Sequence, residues 1–152
     1  MRLRFRHLAA TAAALSFVLI LLGVYTGAAG AGLACAGRWP FCDGFLGLFP
    51  ANWPSFVEWF HRLVAMITGF VILGTAWAAY RGDHDRRILV ATVVAVAVLP
   101  VQILLGANTI FNFGVWAQVL HHGAAQLIFG ALVTAAAWAY TERNGGASRA
   151  AD

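Results

Sequence analysis

Four long apolar stretches dominate this chain and restrict it to membrane-spanning helices. They cover about Leu8 to Ala28, Phe56 to Tyr80, Ile88 to Ala107 and Val115 to Tyr140. A helix needs about 20 apolar residues to cross the hydrocarbon core of a bilayer. Only 11% of the 152 residues are charged, against roughly 25% in a soluble domain. The sequence therefore predicts one membrane domain over residues 1–152, an all-α integral membrane protein folded as a four-transmembrane-helix bundle.

The ten basic residues are all arginine, and their positions predict the orientation of the bundle. Arginine-rich segments next to membrane spans face the cytoplasm. Three arginines precede the first span, three separate the second from the third and two follow the fourth: Arg2, Arg4, Arg6, Arg81, Arg86, Arg87, Arg143 and Arg149. We therefore expect both termini in the cytoplasm, a plasma-membrane location, and the loop 29–54 on the outer face. The pI of about 9.8 is due to these arginines, whose positions the topology explains, so it does not indicate nucleic-acid binding.

The N-terminal stretch has two interpretations. A basic start, an apolar run and the small residues Ala28 to Ala31 fit the outline of a cleaved signal peptide. The run is longer than the roughly 7–15 apolar residues usual in such a peptide. We expect it to be retained as a first helix, whereas cleavage would leave three helices and an outer N-terminus.

Two histidines, His61 and His121, are expected at one depth in the membrane. Each lies a few residues inside the start of a span, and the two spans cross in the same direction. Intramembrane ionisable residues are candidate functional groups, and imidazole is a common metal ligand. Each ring either bonds nearby loop or backbone groups, or the two helices hold a haem iron between facing imidazoles. His122 is rotated about 100° from His121 and cannot share its axis, and His7 and His84 are expected to be solvated.

A faint internal repeat accompanies these histidines. His61 and Ala65 recur as His121 and Ala125, at an offset of 60 residues. Each pair follows a helix, an outer loop and the start of a second helix. Such a repeat is typical of two helical hairpins in tandem, related by an axis along the membrane normal.

Glu58 and Arg62, on either side of His61, each have a structural and a functional interpretation. With Ser55 as the N-cap of the second span, Glu58 would complete a capping box. As a functional group, Glu58 shares a helix face with His61 and would orient a ligand, move a proton or contact a substrate. Arg62 would donate to haem propionates or extend to the outer membrane interface.

Cys35 and Cys42 lie in the loop 29–54, on the predicted outer face, where disulfides persist. The six intervening residues allow a structural disulfide to close a small loop. A redox-active pair is the alternative. The spacing differs from the C-x-x-C of thioredoxin-type proteins, so it does not by itself indicate redox work.

Four ordered segments between about Gly23 and Ala125 resemble the haem A synthase family. They are Cys35-Ala-Gly-Arg-Trp39-Pro40-Phe-Cys42, Glu58-Trp-Phe-His61-Arg62-Leu-Val-Ala, Gln102-Ile-Leu-Leu-Gly106 and Trp116-Ala-Gln-Val-Leu-His121-His-Gly. The resemblance implies oxidation of the C8 methyl group of haem O to a formyl group, which gives haem A, with haem b as cofactor.

Carried over residue by residue, the resemblance gives each motif a role. His61 and His121 would be the axial ligands of the haem iron. Glu58 would be catalytic, acting at the oxidised edge of the substrate or stabilising a carbocation-like intermediate. Cys35 and Cys42 would form a disulfide.

Two functions outside this activity use the same residues. A non-catalytic haem-binding or transfer protein for terminal oxidase assembly would use the same histidine pair. A membrane thiol oxidoreductase linked to quinone would use the cysteines, but such enzymes normally need two cysteine pairs and this chain has one.

The usual family member has eight helices in two similar halves, and this chain resembles one half. Two haems need four axial histidines, whereas one copy supplies a single pair. A homodimer is therefore the preferred arrangement, with a second half-size subunit or a protein holding only one haem as alternatives. The other implied partners are haem O itself, a haem O synthase, an electron donor and the lipid membrane.

Overall fold

A computed structural model describes residues 2–148, with side chains from Phe5 to Glu142. Four long helices follow one another: α1 (Arg2–Ala28), α2 (Trp53–Arg81), α3 (Arg86–Phe111) and α4 (Val115–Ser148). All four are long and apolar enough to cross a membrane, and the described residues contain no strand. This confirms the predicted all-α membrane bundle. Arg149, which belongs to the arginine pattern above, lies outside the described residues.

The capping box predicted from Ser55 and Glu58 is wrong. The N-cap of α2 is Asn52, whose side-chain oxygen accepts a hydrogen bond from the Ser55 N–H at 3.0 Å. The helix therefore begins at Trp53, about one turn before the predicted start. Ser55 and Glu58 lie inside it, both buried, and their side chains bond to other partners.

The four helices form a ring in chain order. α1 packs against α2 and α4, and α3 packs against the same two helices, whereas the Cα atoms of the diagonal pairs stay more than 8 Å apart within the described part of the chain. The connections from α2 to α3 and from α3 to α4 are short, so consecutive helices run antiparallel. α2 and α4 are therefore parallel at opposite corners, and their N-termini meet at one end of the bundle, called the histidine end below.

Small side chains fill the interior of the ring, mainly alanine. They form two buried clusters, one near the middle of the membrane and one towards the end opposite the histidines. Small residues allow helix backbones to approach closely, which supports association in lipid through van der Waals contact. Large apolar side chains such as Phe70 and Leu104, 67% and 69% exposed, point outwards to the lipid.

The prediction that His84 is solvated is wrong. Its ring centroid lies 4.3 Å from that of Phe5 on α1, and its Nδ1 lies 3.3 Å from Glu142 Oε2 on α4. The other Glu142 oxygen accepts a hydrogen bond from the Asp85 N–H at 2.6 Å. These contacts hold the connection between α2 and α3 against both other helices. His7 is exposed, as expected.

Leu132 tests how tightly the interior is packed. Its side chain is fully buried at 0% exposure, whereas Leu127 on the same helix is 62% exposed. Leu132→Ala should lower the free energy of unfolding by about 2–4 kcal/mol, because it removes apolar contacts and leaves a cavity. The matched change Leu127→Ala should cost much less. Unfolding in detergent measures both, and equal losses would contradict the packing described here.

Candidate functional site

His61 and His121 lie at similar depths in parallel helices. His61 is eight residues after the first residue of α2, and His121 is six residues after the first residue of α4. At 1.5 Å per residue these positions are about 12 and 9 Å from the helix starts. The ring of helices thus places the two imidazoles on opposite corners, near the same end of the bundle.

Each imidazole packs against a glycine of the preceding helix. A Cβ built on Gly23 of α1 would lie 3.1 Å from His61 Cε1, and one built on Gly106 of α3 would lie 3.1 Å from His121 Cε1. Both distances are shorter than an ordinary carbon–carbon contact of about 3.5–4.0 Å, so a larger residue would displace the ring. The two hairpins therefore hold their histidines in the same way. Sequence reasoning assigned neither glycine a contact with a histidine.

The ring nitrogens of this pair have few partners. Nδ1 of His61 and Nδ1 of His121 are both buried without a hydrogen bond among the residues described. The Nε2 of His121 lies 3.5 Å from the Gln102 side-chain nitrogen. His122 differs, because its Nδ1 donates a hydrogen bond to the Gln118 carbonyl at 2.8 Å within the same helix. The fold thus separates a histidine satisfied by its own helix from a pair whose Nδ1 atoms have no partner among the described residues.

Arg62 links Glu58 to the long connection between α1 and α2. Its Nε and Nη2 lie 3.1 and 2.8 Å from Glu58 Oε1. Its Nη1 lies 2.9, 3.3 and 2.7 Å from the carbonyl oxygens of Arg38, Pro40 and Phe41. Arg62 therefore turns towards the loop and Glu58, with only 16% of its side chain exposed. Its predicted role as a donor to haem propionates stays a prediction.

Glu58 keeps one oxygen without a partner. The residue is 5% exposed, and its Oε2 is buried with no hydrogen bond among the described residues. The residue opposite this oxygen is Gly32, where a Cβ would lie 3.9 Å from it. Glu58 precedes His61 by three residues, so both lie on one side of α2. One carboxylate oxygen is therefore fixed by Arg62, and the other can accept a hydrogen bond or carry a proton near the imidazole.

The loop is fastened to the first turn of α2 around a disulfide. The disulfide joins Cys35 to Cys42. The Ser55 hydroxyl on α2 lies 2.7 Å from Asp43 Oδ2, and Asp43 Oδ1 accepts a hydrogen bond from the Ala51 N–H at 3.2 Å. Sequence reasoning missed this use of Ser55 and Asp43, because the two residues are 12 positions apart and neither belongs to a local motif. The loop thus lies over the N-terminal end of α2.

The fold and the site define a class of protein: a multi-pass membrane bundle that gathers half-buried imidazole and guanidinium groups and a buried carboxylate at one end. Residues 47–133, which include Glu58, His61 and His121, match the profile of a family described as cytochrome oxidase assembly protein. The chain belongs to this family.

The similar proteins carry two different names, protoheme IX farnesyltransferase and heme A synthase. The chain is 34% identical over 136 residues to the protoheme IX farnesyltransferase of Halobacterium salinarum, which covers 85% of this chain and 29% of that protein. It is 33% identical over 126 residues to the heme A synthase of Bacillus licheniformis, covering 81% and 41% of the two. The heme A synthase of Shouchella clausii is 32% identical over 135 residues, covering 86% and 44%.

The family match and the two heme A synthases confirm the resemblance to the haem A synthase family. The chain spans less than half the length of the relatives it matches.

Asp43 allows the attachment of the loop to be tested by pH. The Ser55 hydroxyl, and then the Ala51 N–H and the Arg38 charge, hold the pKa of Asp43 below its usual value against the opposing effect of burial. A lowered folded pKa stabilises the loop above the unfolded pKa of about 3.9, and this stabilisation is lost as the pH falls through the folded pKa. Hydrogen exchange across residues 43–51, corrected for intrinsic rates, should therefore rise below about pH 4.

The matched variant for this measurement is Asp43→Asn, which cannot ionise. Its loop should exchange faster than that of the wild type at neutral pH and should show no step between pH 5 and the acid limit. Exchange in α3 of the same samples reports any global unfolding. Identical profiles in the two proteins would contradict the assignment to Asp43.

Proposed function

We propose that this protein is a haem A synthase, which oxidises the C8 methyl group of haem O to a formyl group and uses haem b as cofactor. The observation that carries the proposal is the half-buried pair His61 and His121, at similar depths, each with a buried Nδ1 that has no partner among the described residues. Membership of the cytochrome oxidase assembly family and similarity to relatives named heme A synthase support it.

The residues present fit a haem. Bis-imidazole ligation needs two facing helices, and α2 and α4 stand at opposite corners of the ring. Gly23 and Gly106 leave no Cβ beside the rings, so each imidazole can lie close to the backbone of the neighbouring helix. His61 and His121 would hold the iron, each through one ring nitrogen. The bound haem would supply the redox chemistry that no side chain of this chain provides.

Glu58 and Arg62 would then act on the substrate side. Glu58 Oε2 would lie at the edge of the substrate being oxidised and take up a proton released by the oxygenated carbon, while the bonds from Arg62 to Oε1 keep the carboxylate in place. A haem propionate would give Arg62 Nη1 a stronger acceptor than the loop carbonyls it now contacts. The loop fastened over α2 would limit the entry of water to this end of the bundle.

The proposal extends to assembly and location. Since one chain offers one imidazole pair, we propose a homodimer, with a second half-size subunit as the alternative. The arginine pattern favours the plasma membrane, with the Cys35–Cys42 loop on the outer face. A haem O synthase would supply the substrate, and a separate electron donor would act together with oxygen.

Conversion of haem O is the direct test. The protein should be expressed with a haem O synthase in a host that makes haem O but no haem A, and haems should be extracted from membranes with acid. We expect haem A in these extracts, and a loss of most of it in Glu58→Gln. Verified expression with bound haem but no haem A would overturn the enzymatic proposal and favour a non-catalytic haem-binding or transfer protein.

Haem content tests the ligands separately from the reaction. His61→Ala and His121→Ala should each lose most of the bound haem, measured by the optical spectrum of protein purified in mild detergent. His122→Ala is the matched control, because its ring already bonds to its own helix, and it should keep its haem. Full retention in both ligand variants would refute the ligation. Absence of any haem band in the wild type would instead point to the thiol oxidoreductase.

A further inference from the structure

The connection between α1 and α2 presents a cluster of large apolar side chains away from the bundle. Five residues form it, and we call them the apolar loop face: Phe41, Phe45, Leu46, Leu48 and Phe49, exposed by 55%, 72%, 74%, 52% and 55%. Soluble surfaces seldom expose large apolar side chains in a contiguous patch, and such patches mark interaction surfaces.

The apolar loop face is built on an ordered turn. The Cys42 N–H donates to the Gly47 carbonyl at 2.8 Å, and the Gly47 N–H donates to the Gly44 carbonyl at 2.9 Å. A side chain at Gly44 would collide with the Phe49 carbonyl, so the chain closes tightly here. The disulfide between Cys35 and Cys42 anchors the turn. The apolar side chains are therefore held outwards by the fold.

Leu46, at the tip of the turn, combines a backbone conformation that is unfavourable for leucine with an exposed apolar side chain. Its φ of 54° lies in the left-handed region, which disfavours a branched residue and suits glycine or asparagine. A leucine here is unfavourable for the turn and is 74% exposed. This combination is expected where an apolar side chain contacts something outside the chain.

The loop that carries the apolar loop face leads within four residues into α2, which has an exposed aromatic surface at its start. Trp53, Phe56 and Phe60 stack along the exposed side of that helix, with ring centroids 5.4 and 5.8 Å apart, and Trp53 is 68% exposed. Aromatic residues favour the headgroup region at both membrane surfaces. Of the two charged residues in the loop, Asp43 turns inwards to Ser55. The apolar loop face itself contains no charged side chain that would oppose contact with lipid.

We propose that the apolar loop face inserts into the interfacial layer of the bilayer at the histidine end. The helices at both ends of the loop cross the membrane, so the turn starts and finishes at this layer. Apolar and aromatic side chains bind there by leaving water for the boundary between headgroups and acyl chains. The occupant of this surface is lipid, continuous with the lipid around α2.

Phe41 connects this contact with the candidate site. Its side chain belongs to the apolar loop face, while its carbonyl oxygen lies 2.7 Å from Arg62 Nη1. Arg62 in turn holds Glu58. The depth of the loop in the membrane therefore affects the position of the Glu58 carboxylate through one arginine.

Site-directed spin labelling tests the insertion. Both native cysteines are in the disulfide, so a nitroxide can be attached to a new cysteine in Phe45→Cys. Collision rates with oxygen, which concentrates in lipid, and with a water-soluble nickel chelate are then compared in liposomes. Phe70→Cys on the lipid face of α2 is the reference for the bilayer interior, and Arg38→Cys in the loop is the aqueous reference. We expect an oxygen-to-nickel ratio at position 45 that is several-fold above that at 38 and below that at 70, because an interfacial site lies between water and the bilayer interior.

Two results would overturn the proposal. High collision with nickel at position 45 would place the face in water, and low collision with both reagents would place it against protein, such as a second copy of this chain. Leu46→Asn in the Phe45→Cys background is the matched variant, because asparagine suits the left-handed backbone but removes the apolar side chain. It should keep the disulfide and the thermal stability, and its ratio should fall towards that of position 38. An unchanged ratio would also contradict the proposal. These readouts do not depend on haem binding or activity.

Discussion

A polar atom buried in a bilayer has no water to bond, and this constraint determines where a ligand can bind in this protein. Seven buried side-chain atoms lack a partner among the described residues, and they are unevenly distributed. Three belong to Arg6, Ser16 and Thr68, whereas the other four gather at the histidine end: Glu58 Oε2, His61 Nδ1, Gln102 Oε1 and His121 Nδ1. Each unmet group costs about 1–3 kcal/mol. Such a concentration on three neighbouring helices is expected where a bound molecule supplies the missing bonds.

The first turns of α2 connect the loop to the part of the helix that holds His61. Ser55, Glu58 and Arg62 lie at intervals of three and four residues, so they share one face of the helix. Each of the three is linked to the loop. Ser55 bonds Asp43, Arg62 bonds loop carbonyls, and Glu58 is held by Arg62. His61 lies next to this face. A change in the loop therefore reaches the Glu58 carboxylate, three residues before His61 on the same helix, so the disulfide-closed loop belongs to the site.

The sequence predicted the spans and the family, but not the contacts between distant segments. Apolar length alone defines four helices, because few other structures satisfy the backbone in lipid. The helix ends were less predictable: Asn52 and Asp85 lie outside the apolar stretches, yet each caps a helix and extends it by two or three residues. Ser55 was predicted to be the N-cap because no local pattern connects it to its actual partner, Asp43, which is 12 residues earlier. The burial of His84 depends on Glu142, 58 residues away, which no local pattern indicates.

The histidines of the chain bear on the number of haems in the proposed reaction. Of the five, His122 bonds to its own helix and His84 to Glu142 at the opposite end, where His7 is exposed. Among the described residues, only His61 and His121 can serve as an axial pair. Two imidazoles supply both axial ligands of one haem iron. In a symmetric homodimer the two pairs would be chemically identical. Haem b and haem O would then be distinguished by their own substituents, whereas a second, different subunit could distinguish them through its side chains.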